Sequence, residues 1–172
     1  MPIPADSTDP HSLPGAAMSL LTRPARIHAI LSQSSEPDGG LLDVVDASTE
    51  DRVLVVGGST AELLCASIRR GCRAATGVCR PPGHPEAAEV VVAPRVASLE
   101  QAEAIACCAR KALRQGGHDG RLAMRLRGAP PRLARRLIAR LQALGYAGLR
   151  LRRGAGAALV VTGRFPILSS IA

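Results

Sequence analysis

Aromatic side chains are almost missing from this chain. Tyr146 and Phe165 are the only two, and there is no tryptophan. The core must therefore be built from Leu, Val, Ile and Ala, and a surface that stacks nucleic-acid bases on rings has nothing to work with. Lysine is nearly as scarce: of 22 basic residues only Lys111 is lysine. With so much Ala and Gly, this bias fits a GC-rich coding sequence and is not read as nucleic-acid chemistry. No uninterrupted apolar run reaches the roughly 18 residues that a membrane-spanning helix needs. The N-terminus lacks a basic region followed by an apolar block, so no secretory signal and a cytoplasmic location are expected. Five cysteines occur, Cys65, Cys72, Cys79, Cys107 and Cys108, with no CxxC spacing. An odd number without that spacing argues against a disulfide framework and a structural zinc site, so buried reduced thiols are expected. Cys79 and His84 are ligand-type residues five apart, but two ligands are too few for a metal. A Gly-x-Ser-x-Gly elbow and a Gly-x-x-x-x-Gly-Lys loop are both absent, which leaves a hydrolase triad and P-loop NTP hydrolysis without support.

What is present is a chain of 172 residues, 47% apolar, long enough for one domain with a substantial core. Its charge is lopsided. Residues 1–106 carry 8 basic and 13 acidic residues, a net of −5; residues 107–172 carry 14 basic residues against Asp119 alone, a net of +13. Such asymmetry marks either a solvated face or a surface for an acidic protein or a nucleic acid.

Residues 1–17 are rich in Pro, Ser and Asp and read as a disordered tail, with Met18 a candidate natural start. Residues 18–50 read as a helical lead-in, with a short helix from Pro24 to Ser32 and a short helix or turn over Leu41–Ala47. From residue 51 to residue 166 strands alternate with helices. The first strand is Arg52–Val56, a continuous apolar run suited to burial on both faces. A glycine turn leads into a helix at 60–70 with Leu63, Leu64 and Ile68 facing inward. A strand at 73–78 follows, then a proline loop at 79–88 and a strand at 89–93. Ser98 caps a long helix to about Gln115, with acidic residues near its start and basic residues near its end. A strand at 121–127, a helix from Pro130/Pro131 to Leu144, and strands at 146–152 and 157–164 complete the pattern, leaving a tail at 167–172. This order predicts an α/β fold with a mainly parallel sheet closed by an antiparallel hairpin.

The Arg52–Thr60 strand and turn, and the closing Leu-Gly-Tyr-Ala-Gly-Leu-Arg-Leu and Gly-Ala-Ala-Leu-Val-Val-Thr-Gly-Arg strands, resemble a class I S-adenosylmethionine-dependent methyltransferase, a family marked by an antiparallel terminal strand. The resemblance implies a three-layer Rossmann-like sheet. It also implies a nucleotide cradle at Gly57, Gly58, Ser59 and Thr60, with Gly77 near the ribose. The sequence departs from the family in its ligand-gripping groups. Val55 and Val56 stand where the first strand should end in a carboxylate, and Gly77-Val78-Cys79-Arg80 lacks the acidic residue that would bind the ribose. Only residues 79–88 replace the family's helix, third strand and further helix. Ten residues reach about 33 Å, and a parallel crossover usually takes about a dozen or more. The third strand should therefore be lost, leaving about six strands in the order 2-1-4-5-7-6 by the family's numbering.

Candidate chemistry is thin. His84, with Glu86 as its orienter, is the best placed of four scattered histidines, and no catalytic or metal residue is assigned. Arg132, Arg135, Arg136 and Arg140 form one side of a helix whose other side is Leu133, Leu137, Leu141 and Leu144, so they are either a basic docking surface or an ordinary outer face. The reading is a degenerate methyltransferase-like module without methylation activity and without a bound cofactor. The alternatives are a minimal enzyme that uses S-adenosylmethionine, and a basic adaptor for an acidic protein or nucleic acid. A homodimer across the strand 73–78 is a further expectation, because an open sheet edge invites pairing.

Overall fold

The computed structural model describes residues 40–58, 60–116, 119–128, 130–154 and 158–166. The tails at 1–17 and 167–172, the Pro24–Ser32 helix and Ser59 lie outside these residues. The elements run α1 (Gly40–Val44), β1 (Arg52–Val56), α2 (Thr60–Arg69), β2 (Ala74–Val78), β3 (Val90–Val96), α3 (Leu99–Gly116), β4 (Gly120–Leu126), α4 (Pro131–Ala143), β5 (Ala147–Arg153) and β6 (Leu159–Phe165). They form one six-stranded sheet in the order β2-β1-β3-β4-β6-β5. The first four strands in that order are parallel, and β6 runs antiparallel to both β4 and β5. The expected order is thus observed, and among the described residues no strand takes the place of the larger pattern's third, so β2 lies at an edge.

The interior strands are continuous apolar runs because helices cover both faces. On one face Leu54, Val56, Val91, Leu122, Met124 and Val161 pack with Ile105, Ala109 and Leu113 of α3 and with Leu137 and Leu141 of α4. On the other face Val53, Val55, Val90 and Val92 pack with Leu63 of α2 and with Leu41 and Leu42 of α1, which are fully buried. The described end of the 18–50 lead-in therefore supplies core side chains. The two aromatics meet each other: Tyr146 and Phe165 lie edge to face at 5.4 Å. Tyr146 Oη donates to the Ala106 carbonyl at 2.8 Å, and its burial pushes the phenol pKa up, so it is a neutral donor.

Local chemistry explains where the boundaries differ from expectation. Ser98 Oγ accepts from the Gln101 N–H at 3.1 Å, and Gln101 Oε1 accepts from the Ala97 N–H at 2.9 Å, a reciprocal cap for α3. The strand expected at 89–93 continues to Val96, because Pro94 falls where the β3–β4 register shifts and no ladder hydrogen bond is required of it. Ile68, expected inward, is 70% exposed. The buried stripe of α2 runs through Leu63 and Ser67, whose hydroxyl donates to the Leu63 carbonyl at 2.8 Å, and Ile68 lies about 100° further round the helix. The thiols are not uniformly buried either: Cys65, Cys79 and Cys107 are exposed, and only Cys108 is buried. Cys65 sits on the outer side of α2 and Cys79 in a loop, where no packing is available. Among the described residues no helix is long and apolar enough to cross a membrane.

The amino end of the sheet is fastened by Arg52 and Glu89. The Arg52 guanidinium donates to Glu89 at 2.6 Å, and the Arg52 N–H donates to the same carboxylate at 2.7 Å. Burial alone would raise the Glu89 carboxyl, but these bonds outweigh it and hold the pKa below the ordinary value of 4.5. A lowered folded-state value means the stabilisation is complete above 4.5 and is lost as pH falls through the folded-state value. The urea midpoint should therefore fall more steeply in this acid range for the wild type than for Glu89→Gln, as followed by circular dichroism.

Candidate functional site

In an open α/β sheet, ligands bind beyond the carboxyl ends of the strands, near a switch in strand order. Here that place is the turn from β1 into α2. Gly57 has φ +111°, a conformation closed to side chains, and its N–H donates to the Val78 carbonyl at 2.8 Å, which ties the end of β1 to the end of β2. A Cβ at Gly57 would also stand 3.8 Å from the Arg95 carbonyl. Gly58 is exposed, and a Cβ there would meet nothing within 4 Å. The turn thus leaves open space over Gly58 at the N-terminus of α2.

Thr60 and Gly77 are brought together, but by packing. A Cβ on Gly77 would come within 3.0 Å of Leu64 and 3.1 Å of Thr60 Cβ, so glycine lets α2 lie close on β2. This role accounts for Gly77 without a ligand. Ser59, between the two halves of the cradle, lies outside the described residues.

The groups available to a nucleoside with a charged tail are few. Val55 and Val56 are fully buried. The end of β2 presents Val78, Cys79 and Arg80, of which the last two are exposed. Arg95 is exposed at the end of β3, close to Gly57. Apolar groups and arginines therefore stand where a ribose diol and an amino group call for carboxylates. The residues fit a tight approach of a ligand backbone to Gly58, but they do not fit S-adenosylmethionine at its hydroxyls or its amine.

The segment 79–89 runs back past β2. Thr76 Oγ1 donates to Glu86 at 3.2 Å, Lys111 Nζ donates to the Gly83 carbonyl at 2.9 Å, and Ala88 joins the core beneath α3. Glu86 is therefore engaged by Thr76, and His84 stays exposed in the loop without the expected orienter. Among the described residues no three His, Cys, Asp or Glu side chains are grouped as metal ligands.

The helix arginines lie as expected. Arg132, Arg135, Arg136 and Arg140 are exposed on α4 while Ala134, Leu137 and Leu141 are buried. Arg140 is tied to Glu103 of α3 at 3.1 Å. Arg136 and Arg140 border an open hollow with Leu99, Ala139 and Ala143. A second basic surface, on the opposite face of the sheet, escaped the sequence reading: Arg150, Arg152 and Arg164 converge across two strands. The alternation of the two strands could have revealed it once their pairing was known.

No protein-family model matches the chain, and no curated protein does. Solved structures match its fold. An S-adenosylmethionine-dependent O-methyltransferase from Thermotoga maritima superimposes with a TM-score of 0.61 at 11% identity, over 81% of this chain and 70% of that one. Human N-acetylserotonin methyltransferase, in complex with S-adenosylmethionine, gives 0.56 at 10% identity, over 83% and 55%. The ribosomal protein L11 methylase from Lactobacillus delbrueckii gives 0.58 at 11% identity, over 76% and 77%. The chain has the class I methyltransferase-like fold. It spans little more than half the length of the human enzyme.

The two turn glycines should separate by mutation. Gly57→Ala is expected to destabilise by about 1–3 kcal/mol, because a side chain is forced to positive φ. Gly58→Ala should stay within about 0.5 kcal/mol of the wild type in urea unfolding.

Proposed function

We propose that the chain is a degenerate methyltransferase-like domain that no longer methylates and acts as a binding or regulatory module. The observation that carries this reading is the pair of strand ends, Val56 and Val78–Arg80, which bring no carboxylate to the two places where the cofactor's amine and ribose hydroxyls need one. The edge position of β2 supports it, because among the described residues no strand lies beyond it to wall the adenine. Exposed and unpaired Cys65, Cys79 and Cys107 accord with a reducing, cytoplasmic setting.

A minimal S-adenosylmethionine-dependent methyltransferase is the second reading, favoured by one observation, the unfilled space over Gly58 at the start of α2. Its cofactor would rest on Gly57, Gly58, Ser59 and the first turn of α2, with hydroxyl and amine contacts left to water or to a partner. Isothermal titration with S-adenosylhomocysteine separates the two. The first reading expects no heat of binding at about 100 μM. A Kd below that value, about −5.5 kcal/mol, favours the second reading over the first.

The open β2 edge gives a second copy somewhere to pair. A dimer across Ala74–Val78 would double the mass found by light scattering, and a monomer at all concentrations removes that arrangement.

A further inference from the structure

The sheet face that carries α1 and α2 is uncovered by them over β6 and β5. The strand register fixes which side chains point there. Arg121 of β4 stands opposite Arg164 of β6, Thr162 opposite Arg150 of β5, and Val160 opposite Arg152. Val160 belongs to the core cluster beneath α1 and α2, so its cross-strand neighbour and the residues two and four along share that side. With Asp46 after α1, these groups line a groove of about 330 Å³.

Like charges placed across neighbouring strands repel, so such a cluster normally finds acidic partners. Only Arg121 has one. It pairs with Asp51, and its guanidinium also donates to the Asp46 carbonyl at 2.6 Å and the Val45 carbonyl at 3.2 Å. Arg150, Arg152 and Arg164 are exposed, and their side chains have no ion pair or hydrogen bond among the described residues. Three forked cations on two paired strands are thus left to an external anion.

We propose that this groove holds the phosphodiester backbone of a nucleic acid without reading its bases. Guanidinium forks match phosphate oxygens in pairs, and all three unpaired cations of the groove are arginines. A protein partner would favour aromatic or apolar anchors at the centre of the contact, and the two rings of this chain are both buried. The same lack removes base stacking, so the contacts are ionic and independent of sequence. The groove lies on the face opposite α4, so the two basic surfaces can be tested apart. The proposal gives the binding module its partner class. It fails separately from the cofactor question, because its test uses no S-adenosylhomocysteine.

The test is fluorescence anisotropy of the full chain with a labelled oligothymidylate and with a duplex of random sequence, at salt from about 50 to 200 mM. Three phosphate contacts predict a slope of log K against log salt of about −2.1 for the single strand and about −2.7 for the duplex, a loss of roughly 20- to 40-fold over that range. The combined Arg150→Ala, Arg152→Ala and Arg164→Ala variant should remove most of that slope and weaken binding by about tenfold or more. Arg132→Ala with Arg135→Ala and Arg136→Ala should leave both nearly unchanged. Circular dichroism checks the fold of each, and Arg150→Glu alone must show a weakening in the same direction. The proposal is overturned by absence of binding at low salt, by loss in the α4 variant with the groove variant unaffected, or by equal affinity for polyglutamate.

Discussion

The return of the chain from Val78 to Val90 governs the rest of this structure. Residues 79–89 must travel back along the length of a strand within the space between β2 and α3. They do so as an irregular segment held by Thr76 to Glu86, Lys111 to Gly83 and the buried Ala88. A chain committed to that path has no residues left for a helix or another strand. The β2 edge of the sheet follows: among the described residues β2 is outermost, and Cys79 and Arg80 at its end are exposed. At the other end of the path, Glu89 clasps Arg52 and starts β3 beside β1, so the same short connection also sets the parallel register there.

Much of this was legible in the residues. Buried parallel strands are nearly all apolar, and Arg52–Val56, Val90–Ala93 and Leu122–Leu126 declare themselves by composition. Strand order followed from the likeness to a known fold together with the length of the 79–88 loop. What failed did so for local reasons. Ile68 was expected inward from its hydrophobicity, but a serine can occupy a buried helical position when its hydroxyl is satisfied by the carbonyl four residues earlier, as Ser67 is. The strand expected at 89–93 runs on through Pro94 to Val96, because at a register shift the missing proline N–H costs nothing. At the candidate site the turn was legible in Gly57-Gly58, whereas the close seating of Thr60 and Leu64 on Gly77 was not, because it depends on how α2 lies on β2. The basic groove was hidden because its members are separated by up to 43 positions in the chain (Arg121 to Arg164) and become neighbours only through the β4–β6–β5 register.

The electrostatics divide the molecule by face as well as by position along the chain. Four carboxylates in the described residues serve as fasteners: Asp51 holds Arg121 and the Ser48 turn, Glu89 holds Arg52, Asp43 meets Arg70, and Glu103 meets Arg140. The arginines outnumber them and remain on the outer helix and on the hairpin. A fold usually read by its nucleotide end thus carries its strongest unanswered charge elsewhere.

The corner where β5, β6 and α3 meet has an optical consequence. Tyr146 is the sole phenol, buried, bonded to a backbone carbonyl and set edge-on to Phe165, with Arg114 over that second ring at 5.7 Å. The tyrosine absorbance band and tyrosine emission therefore come from one chromophore at one address. Any spectroscopic change recorded at those wavelengths reports the seating of the terminal hairpin against the long helix, and says nothing directly of the glycine turn at the far side of the sheet.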